Sequence, residues 1–105
     1  MSKRGSLFSA MVIAVLGAVM SLQVSAAEPA KYAVSCGACH NTAVAGAPKT
    51  HDPDAWKPRM EKGMDALIAS VKNGMNVMPA KGNCADCTDE EYKELIEYMA
   101  KPKPE

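Results

Sequence analysis

Five consecutive residues, Cys36-Gly37-Ala38-Cys39-His40, hold the most specific chemistry in this sequence. Two thiols three apart can add to the two vinyl groups of a haem, while the imidazole of the next residue reaches the iron. The spacing has a geometric reason: two thioethers on one turn hold the macrocycle edge-on to the chain, and His40 must then stand under the metal. Two other chemistries use paired cysteines. A zinc site built from Cys36, Cys39, Cys84 and Cys87 is disfavoured because 44 residues separate the inner pair, against roughly 15–20 in the common ribbon pattern. A thioredoxin-like dithiol needs a βαβ unit to carry it, and the chain shows no such pattern. Covalent haem is the expectation, with no zinc.

A second iron ligand must come from elsewhere, and beyond residue 26 the candidates are Met60, Met64, Met75, Met78, Met99 and His51. Met64 and Met99 fall in apolar helical stripes, where methionine usually fills a core. His51 stands beside Asp52 in polar surroundings and reads as a surface residue. Met75 and Met78 remain. Pro79 biases Met78 toward an extended backbone. Side chains alternate along an extended stretch, so Asn76 and Met78 would point inward while Met75 and Val77 point away. Met78 is favoured and Met75 is its competitor. A thioether opposite an imidazole raises the potential and leaves no vacant position for a substrate, which suits a one-electron carrier rather than an enzyme. The alternative, a catalytic or gas-binding haem domain, needs an iron with an open or weakly held position.

These residues sit in a short chain. Its 105 residues carry 12 Lys+Arg against 12 Asp+Glu, enough for one domain and without the basic footprint of a nucleic-acid binder. Lys3 and Arg4, the uncharged run Leu7 to Leu22 and the small residues of Val24-Ser25-Ala26 form the pattern of a secretory signal peptide. Residues 1–26 are therefore expected to be removed, leaving a domain over 27–105. An uncleaved membrane anchor is the alternative, since the run approaches the roughly 20 residues that span a bilayer. Both readings export the domain to a compartment where paired thiols stay oxidised. The remaining 79 residues have 10 basic and 12 acidic side chains, and only 17 large apolar ones, none of them Phe. A domain this small usually needs a cofactor or disulfides to supplement its core.

The elements that must position the site are helical. Pro29 to Ser35 suggests a short helix with Tyr32 as its bulky contact, and Asn41 to Thr50, broken by Gly46 and Pro48, an ordered loop. Asp52 reads as an N-cap with Pro53 at the first helical position; Pro58 limits that helix to about two turns and Gly63 ends it. Met64, Leu67, Ile68 and Val71 form one apolar face of a helix that Gly74 can terminate. Met75 to Cys87 lacks a helical period. Thr88 with Glu91 is a capping box, and Tyr92, Leu95, Ile96 and Met99 carry a second stripe up to Pro102. The Asp89-Glu90-Glu91 run complements the helix dipole and needs no partner. With no strand pattern, the fold is expected to be all-α, with three to four short helices around one haem. Trp56 is expected either against the haem or its propionates or in the ordinary core, its ring N–H seeking an acceptor in both cases.

The sequence resembles the small bacterial cytochromes of the c5 type, within the class I c-type cytochromes. The resemblance runs from Tyr32 and the haem motif at 36–40 through Val44-Ala45-Gly46-Ala47-Pro48-Lys49, Trp56, Pro58-Arg59 and Lys62-Gly63-Met64-Asp65-Ala66-Leu67. It continues over Val71-Lys72-Asn73-Gly74, Met78-Pro79 and Lys81-Gly82 to Cys84-Ala85-Asp86-Cys87-Thr88 and Tyr98-Met99. It implies the class I cytochrome c fold, whose N- and C-terminal helices cross beside a single haem c. It places the axial methionine at Met78 and the acceptor for the second ring nitrogen of His40 at the Pro48 carbonyl. It has a disulfide matching Cys84 and Cys87, which export and spacing also favour. It further implies a periplasmic carrier in a respiratory chain. Such a carrier exchanges electrons with redox proteins: a membrane oxidoreductase complex as donor, a terminal oxidase or reductase as acceptor. Contact with a membrane follows only if residues 1–26 are retained.

Overall fold

The computed structural model describes residues 27–104 and Gly17; apart from Gly17, the signal segment expected at 1–26 lies outside the described residues. Within them, four α-helices follow in order: α1 (Gly37–His40), α2 (Pro53–Met60), α3 (Met64–Asn73) and α4 (Asp89–Ala100), with short 3-10 turns at Val44–Gly46 and Ala80–Asn83. The described residues form no strand, only an isolated bridge between Met75 and Met78. None of the helices is long and apolar enough to cross a membrane.

α4 is the element on which the others pack, and its start is fixed locally. The Thr88 hydroxyl accepts from the Glu91 N–H and the Glu91 carboxylate accepts from the Thr88 N–H, both at 3.2 Å. Two donors that a helix start leaves orphaned are thereby satisfied. From this helix Leu95, Ile96 and Met99 enter the core with Tyr32, Cys36 and Trp56. The α3 stripe of Met64, Leu67, Ile68 and Val71 is only half-buried against that cluster. α2 begins where expected, with Asp52 accepting from the Ala55 N–H at 3.3 Å and Pro53 in the first turn. It stops at Met60, and Gly63 instead precedes α3, where its φ of 90° redirects the chain.

The helix expected over Pro29 to Ser35 is replaced by hydrogen-bonded turns. The Tyr32 carbonyl accepts from both Ser35 (3.2 Å) and Gly37 (2.9 Å), which breaks the i to i+4 register a helix requires. The Tyr32 ring folds back over Gly37, where a Cβ would lie 3.2 Å from its Cε1 and 3.1 Å from the Tyr32 carbonyl oxygen. The regular helix therefore begins only at Gly37, inside the cysteine motif. Tyr32 still joins this N-terminal segment to α4, meeting Tyr98 edge-on with ring centroids 5.0 Å apart. Lys31 adds ion pairs to Glu91 at 2.6 Å and Asp86 at 3.6 Å, and Lys72 of α3 pairs with Asp89 of α4 at 3.0 Å.

Candidate functional site

One turn of helix gathers three reactive side chains. Cys36 is the N-cap of α1, and Cys39 and His40 are its last two residues. All three line a cleft of about 300 Å³, together with the loop Val44 to Pro48, Arg59, the turn Met75 to Pro79, and Gly82 and Asn83. Cys36 and Cys39 are unpaired thiols. Burial pushes the Cys36 thiol above its ordinary pKa, partly offset by the Ser35 hydroxyl 3.6 Å from its sulfur. It is therefore a neutral thiol near pH 7.

His40 is only 7% exposed. Its Nδ1 lies 2.8 Å from the Pro48 carbonyl oxygen. A carbonyl can only accept, so Nδ1 carries a proton, and in the neutral ring the lone pair is then on Nε2. The backbone holds the same residue a second time, since the Thr50 N–H donates to the His40 carbonyl at 2.8 Å. Of the two places open to Trp56, the structure shows the core. Its ring is buried behind His40, with centroids 5.5 Å apart, and is absent from the cleft lining. Its N–H donates to the Lys49 carbonyl at 2.9 Å. The indole therefore backs the imidazole instead of walling the cleft.

The second wall corrects the argument made from extended geometry. Met75 and Met78 exchange both backbone hydrogen bonds, at 3.1 and 2.8 Å, so the chain reverses over four residues and strict alternation does not apply. Asn76 takes the left-handed conformation, φ 52°, which asparagine tolerates. All four residues of the turn reach the cleft, and burial separates the methionines. Met75 is 46% exposed and Met78 is half-buried. The Met78 methyl lies against Gly82, where a Cβ would stand 3.1 Å away, with Val71 alongside.

Cys84 and Cys87 are disulfide-bonded, with Cα atoms 5.4 Å apart. They lie outside the cleft lining, and the Cys84 carbonyl accepts from the Tyr92 hydroxyl at 2.7 Å. His51 is half-buried and not a plain surface residue: its Nδ1 lies 2.9 Å from the Lys101 carbonyl and its ring meets Tyr98 edge-on at 4.8 Å. Sequence reasoning gave no site role to Arg59, the one charged side chain among the described residues lining the cleft.

Among the described residues no three His, Cys, Asp or Glu side chains gather into a metal-binding cluster. What meets at the cleft is one imidazole with a free Nε2, two thiols on a single turn, and a half-buried thioether between apolar walls. That donor set fits a haem, whose vinyl groups take thiols and whose iron takes nitrogen and sulfur.

Comparison with known proteins points the same way. A family profile described as cytochrome C oxidase, cbb3-type, subunit III matches residues 26–99. The chain is 48% identical over 67 residues to cytochrome c5 of Ectopseudomonas mendocina, spanning 62% of this chain and 77% of that protein. Among solved structures, a mono-haem ferrocytochrome c from Shewanella putrefaciens is 54% identical, with 70% of this chain and 91% of that one covered and a TM-score of 0.63. A chain from the electron transfer complex of nitrite reductase with cytochrome c is 35% identical, covering 66% and 84% respectively, with a TM-score of 0.59.

Proposed function

Since this chain belongs to the c5-type small cytochromes c, which bind one covalent haem c and act in electron transfer, we propose that it is a periplasmic one-electron carrier of a respiratory chain. Cys36 and Cys39 would hold the haem through thioethers, and His40 and Met78 would supply nitrogen and sulfur ligands to its iron. The observation that carries this reading is the His40 ring, held 2.8 Å from the Pro48 carbonyl in the cleft that both thiols and Met78 line.

When bound, the haem supplies an iron that changes charge by one electron. The Pro48 carbonyl keeps the Nδ1 proton in place and leaves Nε2 as a strong donor. The Met78 thioether would supply the second iron ligand and exclude a substrate, so that the protein would carry electrons without catalysing a reaction. Arg59 contributes a cation at the cleft, suited to a propionate carboxylate. The Cys84–Cys87 bond ties the loop ahead of α4 and takes no part in the redox step. Residues 1–26 direct export and are removed, leaving the domain 27–105. Redox proteins are the partners, a membrane oxidoreductase complex as donor and a terminal oxidase or nitrogen-oxide reductase as acceptor.

Acid acetone separates this reading from its rivals. The haem should stay with the chain, because thioethers survive denaturation, and the reduced protein should not bind carbon monoxide. Extraction of the haem overturns the attachment, and ready binding of carbon monoxide turns the carrier into a gas-binding or catalytic domain.

A further inference from the structure

We propose that Trp56 is a positioning residue for His40, acting through the peptide group between Lys49 and Thr50. The proposal rests on the reading that His40 ligates the haem iron. That one planar peptide is held at both poles: its carbonyl accepts from the Trp56 ring N–H at 2.9 Å, and its N–H donates to the His40 carbonyl at 2.8 Å. The peptide immediately before it supplies the Pro48 carbonyl to His40 Nδ1. Peptide planes turn only about the Cα between them. Pinning the Lys49–Thr50 plane therefore restricts where the Pro48 oxygen can sit. Thr50 is held again through its side chain, which accepts from the Tyr32 hydroxyl at 2.6 Å.

Trp56 is 5% exposed, and a buried indole N–H needs some acceptor. Its acceptor here is the carbonyl next along the chain from the one that orients the ligand. A firmly held Pro48 carbonyl draws the Nδ1 proton and enriches Nε2, which favours the oxidised iron and lowers the potential. Loosening the peptide should do the reverse.

Trp56 is the single tryptophan of the chain, so a tryptophan auxotroph supplied with benzothienylalanine replaces its N–H by sulfur while keeping the ring shape. In the haem-loaded protein, the His40 Nδ1 proton should exchange with solvent about fivefold faster, in keeping with the loss of one hydrogen bond. The potential should rise, and the methionine-sulfur band should stay unchanged. Trp56→Phe should move exchange and potential in the same directions. If exchange rate and potential both hold while only the melting temperature falls, Trp56 is a core side chain and the proposal is overturned. Failure of the ligand assignment looks different. It shows in the unsubstituted protein, as absence of the haem-shifted His40 ring proton, whereas failure of the Trp56 proposal leaves that proton present and unmoved.

Discussion

A methyl group separates the two methionines that the sequence left in competition. The Cε of Met78 fills the space that a side chain at Gly82 would take, while Met75 is half exposed on the other arm of the same turn. Met78→Ala should abolish the methionine-sulfur band, lower the potential and open the iron to carbon monoxide or imidazole. Met75→Leu should leave the band and the closed iron intact. The reverse pair of spectra would show that Met75 is the ligand. Gly82→Ala tests the same contact from beneath. Its φ of 55° is strained for any side chain and its Cβ would press on the Met78 methyl. It should destabilise the protein by about 1–3 kcal/mol and weaken the sulfur band, as a denaturant melt and a spectrum would record.

At the scale of elements, the boundaries written in short-range chemistry were legible. The Thr88–Glu91 box starts α4, Asp52 and Pro53 start α2, and α3 spans its apolar stripe to Gly74. The segments that the sequence misplaced are set by contacts that no periodic pattern records. Tyr32 folds onto Gly37 and the distant α4 instead of continuing a helix, and the 75–78 turn closes on its own backbone. Trp56 was known to be apolar but not that its acceptor would be Lys49. Within the site, the cysteine motif and both methionines were visible as residue types, whereas Arg59 emerged only from how α2 meets the cleft.

Glu91 joins two elements, capping α4 and pairing with Lys31, and that cation holds its carboxyl below the ordinary glutamate pKa. A lowered folded-state value means that the pair stabilises the fold above the usual carboxylate range and ceases to as pH falls through the lowered value. Lys31 is raised chiefly by the same partner, so its share is present below the ordinary lysine value and fades as pH rises past it. Glu91→Gln keeps a capping side chain, so its melting deficit should be present at neutral pH and vanish in acid. A deficit that persists in acid would place the effect in the cap.

Over the whole molecule, few side chains are deeply buried. Tyr32, Trp56, Tyr92, Leu95, Ile96 and Met99 supply most of the large apolar core among the described residues. At about 1.5–3 kcal/mol for each large apolar side chain, against about 1–2 kcal/mol of backbone entropy for every ordered residue, this core is thin. The haem-free chain should show no cooperative calorimetric transition, and a sharp one would mean the protein core suffices. Cys84→Ser with Cys87→Ser should cost no more than about 2 kcal/mol, since so short a loop constrains the unfolded chain weakly, and should leave the potential where it was. Lost electron transfer with an unchanged haem spectrum would give the pair a redox role instead.

The run from Pro48 to His51 is hydrogen-bonded at every residue: to the His40 ring, to Trp56, to Tyr32 and the His40 backbone, and to Met99 at the end of α4. In a carrier, that lattice governs speed as well as affinity for the electron. An electron hops when thermal motion has brought oxidised and reduced geometries to equal energy, and the further a ligand relocates between the two charge states, the rarer that coincidence. An imidazole anchored at both ring and backbone has little room to relocate. The reorganisation energy contributed by the protein should be small, and the strap beside His40 would let two such molecules exchange an electron quickly even across a fleeting encounter.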